Sequence, residues 1–261
     1  MSQHNKIFED LLEFEEEEIS RFNQKLDSEN LSRQWSGLNG LADSFRGHAV
    51  YSYMIKRDRE GFYLDMKKSI SYALQLVVQH RAISAKGSAR MGVHHKTALL
   101  SCLICSDFKL AKRIVDYNRP YAELGNKVNY YQMLYLFCDI MVDSPEKQKD
   151  LLLYLNKYIE HSSQYERPYE GYGYVMKGII QRDESVLSLG VNKVLEDHKS
   201  LAASVDGFEC EPDAYICLWL LGLLNLAIAL GMKVDIDHKY LPKDLLADPK
   251  EAQKAWAEFT E

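Results

Sequence analysis

The side chains best suited to chemistry in this 261-residue chain are a Cys102–Cys105 pair, the Asp235, Asp237 and His238 triplet, and the adjacent His94 and His95. A C-x-x-C pair holds zinc when a second pair or two histidines complete a tetrahedral set, and neither stands at a suitable spacing here. The pair also sits in ALLSCLICSD, an apolar helical stretch, so both thiols read as small buried hydrophobes. Thioredoxin-like redox chemistry would need a βαβ pattern around the pair, which is missing. Three potential metal ligands in the loop KVDIDHKYLP are expected to serve as turn and capping residues. His94 and His95 open a helix beside Lys96 without a nearby carboxylate to orient them, and read as cap or surface residues.

Recognised catalytic spacings are absent as well. The chain has no G-x4-G-K-[ST], no G-x-S-x-G, no H-E-x-x-H and no His-Asp dipeptide, which removes the usual signals for phosphate-loop, hydrolase, zincin and metal phosphohydrolase chemistry. The glycines of GYGYVMKG have the wrong spacing and no preceding strand for a dinucleotide loop; they are expected to allow close helix packing. The sequence therefore reads as that of a protein that is not an enzyme and has no cofactor and no metal.

The elements that must position these groups are almost all helices. Apolar residues Phe8, Leu12, Ile19, Phe22 and Leu26 recur at helical steps, and Glu15 to Glu18 fill an acidic face between them. Further helices are predicted over Leu38–Ile55, Phe62–Ile83, His94–Cys105, Leu110–Tyr117, Val128–Val142, Lys147–His161, Glu170–Ile180, Ser185–Val205 and Pro249–Phe259. Asp58, Asp107, Asp143 and Asp183 each lie between an apolar helix end and a new amphipathic start, where a carboxylate can accept the free N–H groups of the next helix. Asp213 to Leu230 forms one helix that is apolar on every side. It must be enclosed by other elements, Trp219 included, with Gly231 as its left-handed stop. Alternating strand patterns are missing. The expected fold is all-α: antiparallel helical hairpins stacked side by side, solenoid-like, around a buried C-terminal helix. No Pro/Gly/Ser-rich linker divides residues 1–261, so a single domain is expected.

Composition narrows the function classes. A formal net charge of −6 and a pI near 5.8 argue against nucleic-acid binding, which calls for a basic stripe, and favour a basic partner. The apolar run is too short and poorly flanked for a membrane span, and MSQHNKIFEDLLEFEEEE has no secretion pattern, so a cytoplasmic location is expected. Eleven of the 17 tyrosines lie between Tyr117 and Tyr174, with Tyr165, Tyr169, Tyr172 and Tyr174 clustered in QYERPYEGYGY. Tyrosine offers broad, rigid contact area with a polar tip. A second candidate surface is the acidic group Asp206, Glu209, Glu211 and Asp213, able to steer a basic partner. These eight residues are the expected partner-binding set.

The C-terminal stretch DAYICLWLLGLLNLAIALGMKVDIDHKYLPKDLL resembles the closing segment of the immunity protein 49 family of bacterial polymorphic-toxin systems. An acidic residue precedes an apolar helix, a glycine follows it, and a short hydrophobic stretch leads to a Leu-Pro near a Leu-Leu. Asp213, Gly231, Val234, Leu241, Pro242, Leu245 and Leu246 carry the likeness, and all look structural. The SD turn at Ser106 and Asp107 with the following KLAKRIVDY is similar more loosely. The resemblance implies an all-α immunity protein that binds a cognate toxin and occludes its active site or substrate path, and the acidic character suits a nuclease among toxins. An all-α family conferring immunity to nuclease toxins of the PD-(D/E)XK type is also similar. The sequence leaves open a homodimer, a helical-repeat adaptor that binds a peptide or protein assembly, and an α-helical enzyme with an unrecognised site.

Overall fold

The computed structural model describes residues 3–84, 92–118, 137, 141, 148–165, 167–202 and 211–260. Ten α-helices occur among them, and the pairing of strands is limited there to one isolated bridge between His238 and Leu241. The helix expected over Val128–Val142, the cap expected at Asp143, and most of the loop SAKGSARMG lie outside the described residues. Contacts divide the chain into two compact units, Met1–Cys105 with Cys210–Pro212, and Ser106–Glu209 with Asp213–Glu261.

The first unit holds α1 (Gln3–Leu26), α2 (Leu31–Lys56), α3 (Arg59–Ser84) and α4 (Gly92–Ile104), each packed on the one before it. Asn30 caps α2, its Oδ1 accepting from Ser32 N at 2.9 Å and Arg33 N at 3.3 Å. The core between the helices includes Leu41, Tyr51, Tyr53, Phe62 and Met66. The sequence put Glu15 on a solvated acidic face, and the structure corrects this. Glu15 is half-buried against α2, whereas Glu16 and Glu17 are exposed.

The second unit holds α5 (Phe108–Asn118), α6 (Gln148–Tyr165), α7 (Arg167–Gln181), α8 (Glu184–Ala202), α9 (Leu218–Ala229) and α10 (Pro249–Thr260). Helix α7 packs between α6 and α8; α9 meets α7 and α10, and α10 also meets α5. An edge-to-face pair, Phe108 and Trp256 with centroids 5.1 Å apart, joins α5 to α10.

One turn design recurs in the chain. Asp58 Oδ1 accepts from Gly61 N, and Asp107 Oδ1 from Leu110 N, both at 3.0 Å; Asp183 Oδ1 accepts from Ser185 N at 2.9 Å and Val186 N at 3.1 Å. The expected aspartate caps are therefore present at these three positions. In each case the residue before the aspartate, Arg57, Ser106 or Arg182, lies at a positive φ of 54° or 55°. That left-handed residue ends one helix and turns the chain, and the aspartate satisfies the orphan N–H groups of the next.

The enclosed helix is shorter than the apolar run. A 3-10 turn spans Pro212–Ala214, and α9 begins only at Leu218. Cys217 N–H donates to the carbonyl of Tyr240 at 2.7 Å, so a tertiary bond takes a donor that a longer helix would have used. All but one of the α9 residues are buried, and the exception is Trp219, which is half-buried. Asn225 is fully buried but satisfied, its Oδ1 accepting from Ala247 N at 2.9 Å. The helix closes with Gly231 at φ +84°, Met232 N donating to Ala227 O at 3.0 Å and Gly231 N to Ile228 O at 2.9 Å, a Schellman arrangement. Twelve residues give about 18 Å of helix, short of the ~30 Å of a bilayer core. No helix among the described residues is long and apolar enough to cross a membrane.

Candidate interaction surface

The centre of the α6–α7–α8 layer is set by glycines. A Cβ at Gly171 would come within 2.6 Å of Val194 N, and one at Gly178 within 2.5 Å of Leu187 N, so α7 and α8 touch backbone to backbone. Gly190 on α8 meets α7 in the same way, 2.9 Å from Gly171 O. Gly173 faces the other side, toward Ile159 and Tyr158 of α6. The close-packing role expected for GYGYVMKG is what these distances show.

With those faces used for packing, α7 leaves one stripe partly exposed: Glu170, Tyr174, Lys177 and Gln181, at steps of four, three and four. Lys177 Nζ donates to Asn156 Oδ1 of α6 at 2.9 Å, and Lys193 Nζ of α8 pairs with Glu170 Oε2 at 3.1 Å. The hydrogen bond to Glu170 holds the Lys193 ammonium above its ordinary range. Burial pushes the Asp197 carboxyl up, with Glu170 and Glu196 adding to it and Lys193 opposing. The stripe is thus a tyrosine set among fixed charges on a stiff two-helix base.

The predicted tyrosines separate on this helix. Tyr174 and Tyr169 are half-buried, and the Tyr169 carbonyl accepts from the Tyr158 hydroxyl at 3.0 Å. Tyr172 is only 7% exposed, and its hydroxyl lies 3.4 Å from Cys217 Sγ, so its ring belongs to the core. Burial pushes the Cys217 thiol up to about 12 despite that hydrogen bond, and the sulfur stays a neutral, unreactive partner. Tyr165 closes α6 in the backbone, but its side chain is outside the described residues. Of the acidic set, Glu211 is exposed and Asp213 half-buried, while Asp206 and Glu209 fall outside the described residues. The Glu170–Lys193 pair was not singled out from sequence, although its helical spacing from Tyr174 was visible.

The triplet considered as a metal site has other uses. Asp235 pairs with Lys243 at 2.7 Å, which holds its carboxyl below the usual range, and His238 Nδ1 accepts from Tyr240 N at 3.3 Å. Among the described residues no group of three or more His, Cys, Asp or Glu is arranged to hold a metal ion. A histidine–carboxylate pair that the sequence reading missed stands in the first unit. His48 Nδ1 lies 2.7 Å from Asp65 Oδ2, and Lys68 Nζ 2.8 Å from Asp65 Oδ1. Burial alone would raise the Asp65 carboxyl, but these two hydrogen bonds prevail and hold it below its ordinary value. The 17-residue separation gave no local signal.

The fold and this partly exposed helix face define an all-α protein whose candidate site is a surface of side chains on paired helices. A family model described as immunity protein 49 matches residues 64–245, well over half of the chain, and the chain belongs to that family of immunity proteins. Membership implies immunity as the general function, with a toxin as partner. Comparison with curated proteins and with solved structures gave no match. The residues that carried the resemblance have structural duties: Gly231 is the left-handed stop, and Leu241 and Leu245 are fully buried.

Proposed function

We propose that this chain binds a cognate bacterial toxin in the cytoplasm and neutralises it by occupying its active site or substrate path, without catalysis of its own. Membership of the immunity protein 49 family carries this reading. The residues proposed to contact the toxin are Tyr174 on the α7 stripe, as anchor, with Tyr165 and Tyr169, and the acidic residues Asp206, Glu209, Glu211 and Asp213. A partly exposed tyrosine on a glycine-tight helix pair loses little side-chain freedom on binding, which favours it as a hot spot. The acidic segment fits a toxin with a basic substrate groove, nucleases among them, because carboxylates can stand in for backbone phosphates.

Association kinetics with the toxin test the surface. Tyr174→Ala is expected to weaken binding by about 30-fold, mostly through faster dissociation. Reversing Asp206 and Glu209 to lysine is expected to slow association about tenfold at low salt and flatten its salt dependence. Kinetics untouched by both changes would remove these residues from the interface.

A further inference from the structure

Helix α1 rests on a row of small residues of α2: Gly37, Gly40, Ser44 and Gly47. The Phe22 ring occupies the space a Cβ of Gly40 would need, and Leu26 Cδ2 and Lys25 Cβ each lie 3.1 Å from where one would stand at Gly37. The last seat differs in kind. At Gly47 the space is filled by the carboxyl group of Glu15, and the nearby Ser44, only 5% exposed, shares a hydrogen bond with it. An acid has taken the place of an apolar knob.

The charged groups facing this carboxyl are Glu18 on its own helix and Asp43 and Arg46 on α2. Arg46 is shared, lying 3.8 Å from Asp43. Farther along the same helices, His48 Nε2 lies 3.8 Å from Glu16, and His48 Nδ1 and Lys68 both engage Asp65 of α3. Glu18 is itself paired with Arg21 on α1 and Arg46 is shared with Asp43, so no guanidinium is dedicated to Glu15, and its charged form is poorly compensated in a partly desolvated seat.

We propose that the α1–α2 contact is a proton-operated latch, in which the neutral Glu15 acid seats α1 on Gly47 and loss of its proton releases the middle of α1 from α2. Burial pushes the Glu15 carboxyl up to about 7, Glu18 and Asp43 add to the push, and Ser44 and Arg46 oppose it. An acid that holds its proton more tightly when folded contributes fully at pH below its ordinary value of 4.5, and that contribution is lost as pH rises through about 7. The latch is thus poised near neutrality. It does not depend on the toxin reading, and α1 lies outside the family-matched residues 64–245.

Hydrogen exchange of the full-length chain between pH 5.5 and 8.5, corrected for intrinsic rates and referenced to α3 amides, tests it. The protection of α1 amides in the native chain is expected to fall about tenfold or more across this range. Glu15→Gln, which keeps the shape and cannot ionise, is expected to hold α1 protection constant. His48→Gln is expected to retain the fall, separating the latch from the contacts that His48 makes with Glu16 and Asp65. Protection of α1 independent of pH in the native chain, an undiminished fall in Glu15→Gln, or its loss in His48→Gln overturns the proposal. If either variant does not fold, carbon-detected NMR of the Glu15 carboxyl in the native chain decides: a midpoint near 7 supports the latch, and one near 4.5 overturns it.

Discussion

Leu224→Ala is expected to destabilise the second unit by about 3 kcal/mol or more, because Leu224 is fully enclosed in α9 and truncation leaves a cavity that its neighbours cannot fill completely. That loss corresponds to a fall in Tm of roughly 6–12 °C for a unit of this size. Trp219→Ala, five residues earlier, is expected to cost clearly less despite the larger side chain, because Trp219 is only half-buried. Chemical denaturation of the two variants checks the order. If Trp219→Ala proves the more damaging, the helix is rotated from the placement described here.

Gly190→Ala has the second largest expected effect. Alanine is the better helix former by about 1 kcal/mol, so on an open helix this change would stabilise. Here the new methyl would meet Tyr174 C at 2.8 Å and Gly171 O at 2.9 Å, and backbone atoms cannot rotate aside as a side chain can. Overpacking costs about 1–3 kcal/mol, more when backbones must separate, so the clash is expected to win by about 1–2 kcal/mol net. Pushing α8 from α7 also strains the Lys193–Glu170 bridge, so the variant is expected to lose toxin affinity along with stability. A neutral or stabilising Gly190→Ala would show that the two helices are not in backbone contact.

Much of this architecture is legible in the sequence, for identifiable reasons. Aspartates 58, 107 and 183 announce themselves because each follows an apolar helix end and precedes an amphipathic start. The left-handed residues before them do not, because Arg57, Ser106 and Arg182 are ordinary side chains that take a positive φ only when the turn imposes it. The boundary between the two compact units follows Cys105, inside one of these capped turns, and so no proline- or glycine-rich linker marks it. The start of α9 was misplaced because residues 213–217 suit a helix locally; the competing bond from Cys217 N–H to Tyr240 O joins positions 23 residues apart.

The candidate surface was legible in part. Tyr172 and Tyr174 look alike in a list of residues, but helical periodicity distinguishes them. Tyr172 shares a face with Met176 and Ile179, whereas Tyr174 lines up with Glu170, Lys177 and Gln181. Glu15 could not be told from its three glutamate neighbours within α1, since what sets it apart is Gly47 on another helix. His48 and Asp65 pose the same problem. Partners brought together by a hairpin leave no mark at either position.

The central claim is immunity through binding, and co-expression with the cognate toxin followed by purification measures it most directly. Cells expressing a cognate toxin are expected to grow only when this chain is present, and the two proteins to co-elute as a stable complex through size exclusion. Failure to restore growth, or growth restored by a chain that never forms a complex with the toxin, would contradict neutralisation by binding.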